Sequence, residues 1–99
     1  MAFERLVGLE VTDDASYQKY REGMTPILHR YGGGFGYDFK ISEVLKSRTD
    51  APINRVFTIY FPDEEAGKAF FSDPEYLQVR KKFFDPAVAN TTLMAAFTS

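Results

Sequence analysis

Three charged residues stand where the surrounding pattern calls for apolar ones. Glu43 keeps step at period two with Tyr37, Phe39, Ile41 and Leu45, and Arg55 keeps step with Phe57, Ile59 and Phe61. Arg80 lies among Tyr76, Val79 and Phe83 at helical spacing. A carboxylate and a guanidinium facing each other across a hairpin form an ion pair. A guanidinium beside phenol hydroxyls can instead hold an anion or polarise a carbonyl. If the hairpin turns near Thr49, Glu43 and Arg55 oppose each other on the covered side of a sheet. Helix ends then bring Tyr17, Arg21, Tyr76 and Arg80 to the same end of the core. Arg5 shares the apolar phase of its strand too, but at the opposite end, where its stem is expected to snorkel. The set holds no obvious nucleophile and no motif-grade spacing. Two readings fit it: an ion-pair network that closes one end of the core, or an anion- or carbonyl-binding mouth on an aromatic pocket. The candidate ligand-binding residues are therefore Tyr17, Glu43, Arg55, Tyr76 and Arg80, with no catalytic residue assigned.

The elements that must position these residues follow from periodicity. Phe3, Val7, Leu9 and Val11 alternate with Glu4, Leu6, Gly8 and Glu10, which predicts a strand over about 3–12. Thr12-Asp13-Asp14 offers capping chemistry for a helix over about 14–31. Its apolar face is Tyr17, Tyr20, Met24, Ile27, Leu28 and Tyr31, and Pro26 should cost it a hydrogen bond and bend it. A second strand is expected over about 35–46, a polar loop at SRTDAP, and a third strand at RVFTIYF, residues 55–61. Asp63-Glu64-Glu65 suits a helix N-terminus, running to about Phe71. Asp73 and Pro74 then restart a helical piece that ends near Phe84. A last strand is expected over 91–98. The order β-α-β-β-α-β is the split βαβ, ferredoxin-like arrangement: an α+β domain over 1–99, with an antiparallel sheet and two helices on one face. That fold, by analogy, orders the strands 4-1-3-2.

The stretch RYGGGFGYDF raises a different chemistry. A phosphate cradle places its glycines before a helix N-terminus. Here Gly32, Gly33 and Gly34 follow a helix, so Gly32 is expected as a C-terminal cap with positive φ, and Gly36 as the mark of a bulge. His29 falls opposite the apolar stripe, with Gln18, Glu22 and Thr25, and is expected to be exposed.

Composition narrows the classes further. Net charge is −2, which gives no basic footprint for nucleic acid. There is no cysteine and one histidine, so no disulfide, thiolate metal site or common zinc site is expected, and no cofactor is called. The N-terminal stretch has charges in its apolar part and does not read as a signal peptide, and no apolar run approaches the roughly 20 residues of a membrane span. A cytoplasmic protein without membrane contact is expected. Ten Phe and six Tyr are many for one small core. The sheet face away from the helices would carry Leu6, Gly8, Val56, Thr58, Tyr60, Met94 and Ala96, with Glu10, Asp38 and Lys40 as its polar members. No helix remains to cover it, so a second copy of the chain is the expected partner: a homodimer through the uncovered face.

Several segments match a known pattern. YGG at 31–33, FP followed by EEAGKAFF at 61–71, and SDPEYLQVR at 72–80 resemble the family called domain of unknown function 1330. The resemblance covers most of the chain from Tyr17 to Phe84, and Tyr31, Gly32, Gly33, Tyr76 and Arg80 fall on it. EVLKS stands where family members often show a glycine. The resemblance implies the dimeric α+β barrel superfamily, in which two ferredoxin-like sheets face each other. It brings no assigned activity and no catalytic residues. Superfamily relatives include cofactor-free monooxygenases, dehydratases and haem-handling enzymes, so the fold does not choose a function. Three functions stay open: a dimer binding a small aromatic or carbonyl-bearing ligand between helices and sheet, a non-catalytic module that only dimerises, and a cofactor-free monooxygenase-like enzyme.

Overall fold

The computed structural model describes residues 2–98. Period-two alternation forms β1 (Phe3–Val11), and Asp13 then caps α1 (Asp14–Arg30) by accepting from the Ser16 amide at 3.1 Å. The helix continues through Pro26, whose missing N–H leaves the Glu22 carbonyl without its helical donor. Gly32 ends it at φ 74°, with Gly32 N–H donating to His29 and Gly33 N–H to Leu28, both at 3.0 Å. This is the paired C-terminal closure that needs a left-handed residue, so the glycine run is a turn into β2 (Gly34–Lys40) as expected.

After β3 (Arg55–Phe61), Asp63 caps α2 (Glu64–Ser72) and Asp73 caps α3 (Pro74–Val79) from its Oδ1. The other oxygen of Asp73 accepts from the Tyr31 hydroxyl at 2.6 Å, which ties α3 to the end of α1. A π-helical turn over Arg80–Phe84 leads to β4 (Val88–Thr98), which begins three residues before the expected start at Thr91. The antiparallel sheet has the order β2-β3-β1-β4, the ferredoxin-like order. The core lies between the sheet and the helices: Leu9, Phe57, Ile59 and Phe61 from the strands meet Tyr17, Met24, Leu28, Phe70 and Tyr76.

Two irregularities of register alter what each face carries. On β2, Phe35 pairs with Ile59 and Asp38 with Phe57, so three steps on β2 match two on β3. The extra residue is accommodated at Gly36, where a Cβ would sit 2.6 Å from the Thr58 hydroxyl, and the Tyr37 amide donates to that hydroxyl at 2.9 Å. A one-residue slip exchanges the faces of everything beyond it. Asp38 and Lys40 therefore turn to the helix side, and Tyr37 and Phe39 to the open side, the reverse of the expected phase. On β4 a shift between the partners of Leu6 and Val7 places Ala95 opposite Leu6 and Ala96 opposite Arg5. Ala96 thus leaves the open face, which gains Ala95 and Phe97.

The second strand also stops at Lys40 rather than near residue 46. Residues 41–54 form an irregular connection, and Leu45, expected in the core, is 88% exposed. Asn54 pins its end to β1: its amide donates to Leu9, and its side chain exchanges two hydrogen bonds of 2.8 Å with the Val11 backbone.

Candidate functional site

Between the helices and the sheet lies a cavity of about 230 Å³. Its walls are aromatic and aliphatic, and its polar members are Arg5, Arg80, Thr91 and the tyrosines 17, 20 and 76. Among the described residues no carboxylate lines it. Thr91, on the edge strand β4, is an exposed member of the lining, and the Arg80 side chain is 41% exposed. The hydroxyls of Tyr20 and Tyr76 meet at 2.9 Å inside it. Burial pushes the Tyr20 phenol well above its ordinary value, and the neighbouring Tyr76 hydroxyl reinforces this. Burial also raises Tyr17, against the opposing pull of Arg21 and Arg55. Tyr17 and Tyr20 are therefore neutral hydrogen-bonding phenols at neutral pH.

Of the five residues proposed from sequence, Tyr17, Tyr76 and Arg80 line this cavity. Arg80 packs its guanidinium 4.8 Å from the centroid of Phe84, and its Nε lies 3.8 Å from Asp85. Arg55 stands behind Tyr17, its guanidinium 5.0 Å from the ring centroid, and does not line the cavity. Glu43 is elsewhere. It sits exposed on the 41–54 connection, beside a surface groove with Leu45 and Met94, and does not face Arg55. The hairpin that would have opposed them does not form, because β2 ends before residue 43.

Asp38 holds the place expected of Glu43. Its carboxylate receives Arg55 through Nε at 2.8 Å and Nη2 at 2.9 Å, and Arg21 through Nη2 at 2.8 Å. Arg21 also donates from Nη1 to the Tyr17 hydroxyl at 2.9 Å and lies 3.7 Å from the centroid of Phe35. Burial opposes ionisation of Asp38, but the hydrogen bonds and charges of Arg55 and Arg21 outweigh it and hold the carboxyl below its ordinary value. An arginine can only donate, so the Tyr17 oxygen is the acceptor of its bond with Arg21. Sequence reasoning missed Asp38 because strict alternation put it on the open face; the signal was Gly36, read as a bulge but not followed to its consequence. It also missed Arg5, which does not snorkel at a far end but lines the same cavity as Arg80. His29 is exposed, as expected.

The open face carries Leu6, Tyr37, Phe39, Val56, Tyr60 and Phe97, and Tyr37, at 65% exposure, stacks on Phe39 with centroids 5.8 Å apart. No helix among the described residues is long and apolar enough to cross a membrane.

Comparison with solved structures supports the fold. The chain is similar to a protein of unknown function from Rhodopseudomonas palustris, with TM-score 0.83 and 18% identity over 99% of this chain and 82% of that one. It is similar to SnoaB, a cofactor-independent oxygenase from Streptomyces nogalater, with TM-score 0.57 and 14% identity over 99% and 90%. It is also similar to a dimeric ferredoxin-like protein of unknown function from Jannaschia, with TM-score 0.61 and 12% identity over the whole of both chains. No curated protein matches the chain. At these identities the likeness is one of fold: the ferredoxin-like fold of dimeric α+β barrel proteins. The family described as a domain of unknown function, DUF1330, matches residues 6–97, and the chain belongs to it.

Proposed function

We infer that the protein is a homodimer whose subunits each bind a small aromatic or carbonyl-bearing molecule in the cavity between helices and sheet. The observation that carries this reading is the cavity itself. A closed core with no space beside Tyr17 and Arg80 would have favoured a module that only dimerises, and about 230 Å³ lies between them. That is the share of liquid volume of roughly seven or eight waters, enough for one ring with small substituents. Aromatic walls suit a flat apolar body, and the few convergent donors suit an acceptor on it. Tyr17, Tyr76 and Arg80 are the contacts proposed from the first list, with Arg55 acting behind Tyr17.

The dimer rests on the open face. Its exposed and half-exposed aromatic and aliphatic side chains come from all four strands, a surface of the kind that stable subunits cover. The relative from Jannaschia is dimeric by description and shares the fold.

A thermal-shift screen of small aromatic acids, aldehydes and quinones tests the binding reading. A ligand present at a hundred times its dissociation constant should stabilise by about 2.7 kcal/mol. Absence of a shift with every compound would leave the module that only dimerises.

A further inference from the structure

Each of the half-buried arginines except one has a carboxylate partner. Arg21 and Arg55 share Asp38, and Arg80 lies 3.8 Å from Asp85. Arg5 has no carboxylate within ion-pair distance among the described residues, and its Nε is the one buried side-chain polar atom among them without a hydrogen-bond partner. A buried donor left unmatched is costly, and a guanidinium more so. Arg5 is the third residue of β1, paired on both sides with Ile59 and Ala96, on the face that lines the cavity.

What holds Arg5 is aromatic. Its guanidinium lies 4.6 Å from the centroid of Phe71 and 5.7 Å from that of Phe3. Contacts of this kind steady the side chain without consuming its N–H donors. The cavity adds a second free donor. The Tyr20–Tyr76 bond uses one hydroxyl proton of the two, and the other has no acceptor among the described residues. With no carboxylate among the described lining residues, two guanidiniums face an apolar, weakly screening space.

We propose that the cavity selects a planar aromatic or conjugated carboxylate, with Arg5 as its anchor and the Tyr20–Tyr76 pair as the second donor. The inference rests on the binding reading above and narrows it to one ligand charge. A carboxylate presents two oxygens to the guanidinium fork, and its apolar body matches the aromatic walls. Inorganic phosphate offers the charge without the body and fits less well.

The test uses titration calorimetry on the intact protein with benzoate, trans-cinnamate, benzamide, cinnamamide and inorganic phosphate. The acids should bind at least tenfold more tightly than their amides. Arg5→Met should weaken the acids at least tenfold and leave the amides within about twofold, and Arg5→Lys, which keeps charge but not the fork, should fall between. Equal binding of acid and amide, or unchanged acid binding in Arg5→Met, overturns the carboxylate assignment while the binding reading stands. Phosphate binding as tightly as the acids overturns it in favour of a general anion site. If no aromatic compound binds, both readings fall together. Should Arg5→Met fail to fold, the acid-to-amide ratio in the wild type and the Arg5→Lys series decide the matter alone.

Discussion

Asp38→Asn is the sharpest test of the bulge at Gly36. The side chains of Arg21 and Arg55 are 13% and 16% exposed, and that of Asp38 is 29% exposed. Exposed ion pairs contribute about 0–1 kcal/mol, whereas removing one partner of a well-buried pair costs about 3–5 kcal/mol. Asp38 lies between these limits but serves two guanidiniums, which are left side by side without a counter-charge. A loss of about 2–3 kcal/mol is expected, or roughly 10–20 °C in Tm for a domain of this length. Glu43→Gln, in the exposed connection, should stay within about 0.5 kcal/mol. Thermal melts of the three proteins at one fixed protein concentration make the comparison, since self-association moves Tm with concentration. The pH dependence adds a second readout. The Asp38 carboxyl is held below its ordinary value, so its stabilisation is fully present above the unfolded carboxylate pKa of about 3.9 and is lost as pH falls below it. Asp38→Asn should lose least relative to wild type at the acid end of the scan. A costly Glu43→Gln beside a neutral Asp38→Asn would refute the register shift and restore strict alternation along β2.

Other outcomes follow from the same geometry. Light scattering on the wild type should give about twice the 11.3 kDa chain mass, and Tyr60→Glu, on the open face near the end of β3, should give a monomer; a monomeric wild type at high micromolar concentration would remove the dimer. Tyr20→Phe leaves the Tyr76 hydroxyl without its partner and should cost about 1–3 kcal/mol, while Tyr20→Phe with Tyr76→Phe should cost less than the sum of the single changes; additive losses in denaturant titrations would mean that the two hydroxyls do not depend on each other. Gly32→Ala forces a Cβ into a left-handed residue at φ 74° and to 2.8 Å from Pro62, so a loss of at least about 1–2 kcal/mol is expected, measured by the same melts.

The local physics of the chain was legible without the fold. Caps at Asp13, Asp63 and Asp73, the left-handed Gly32, the apolar stripe of α1 and the β-α-β-β-α-β order all rest on interactions within a few residues, and such interactions are written in spacing. The open face was legible as well, because counting helices against sheet faces needs only the element order. The site was legible in part. Tyr17 and Tyr76 come together because each lies in phase within an α-helix, and Arg80 because it opens the π-helical turn that directly continues α3. Asp38, Glu43 and Arg5 were misplaced for a different reason. A strand pattern assigns faces only relative to its own register, and a bulge or an early strand end is decided by the partner strand. At Gly36 the extra residue is admitted because β3 presents Thr58 to the Tyr37 amide, and that reverses every face beyond it. The depth at which Arg5 sits was likewise decided by Phe71, whose ring reaches its guanidinium only once α2 is laid on the sheet.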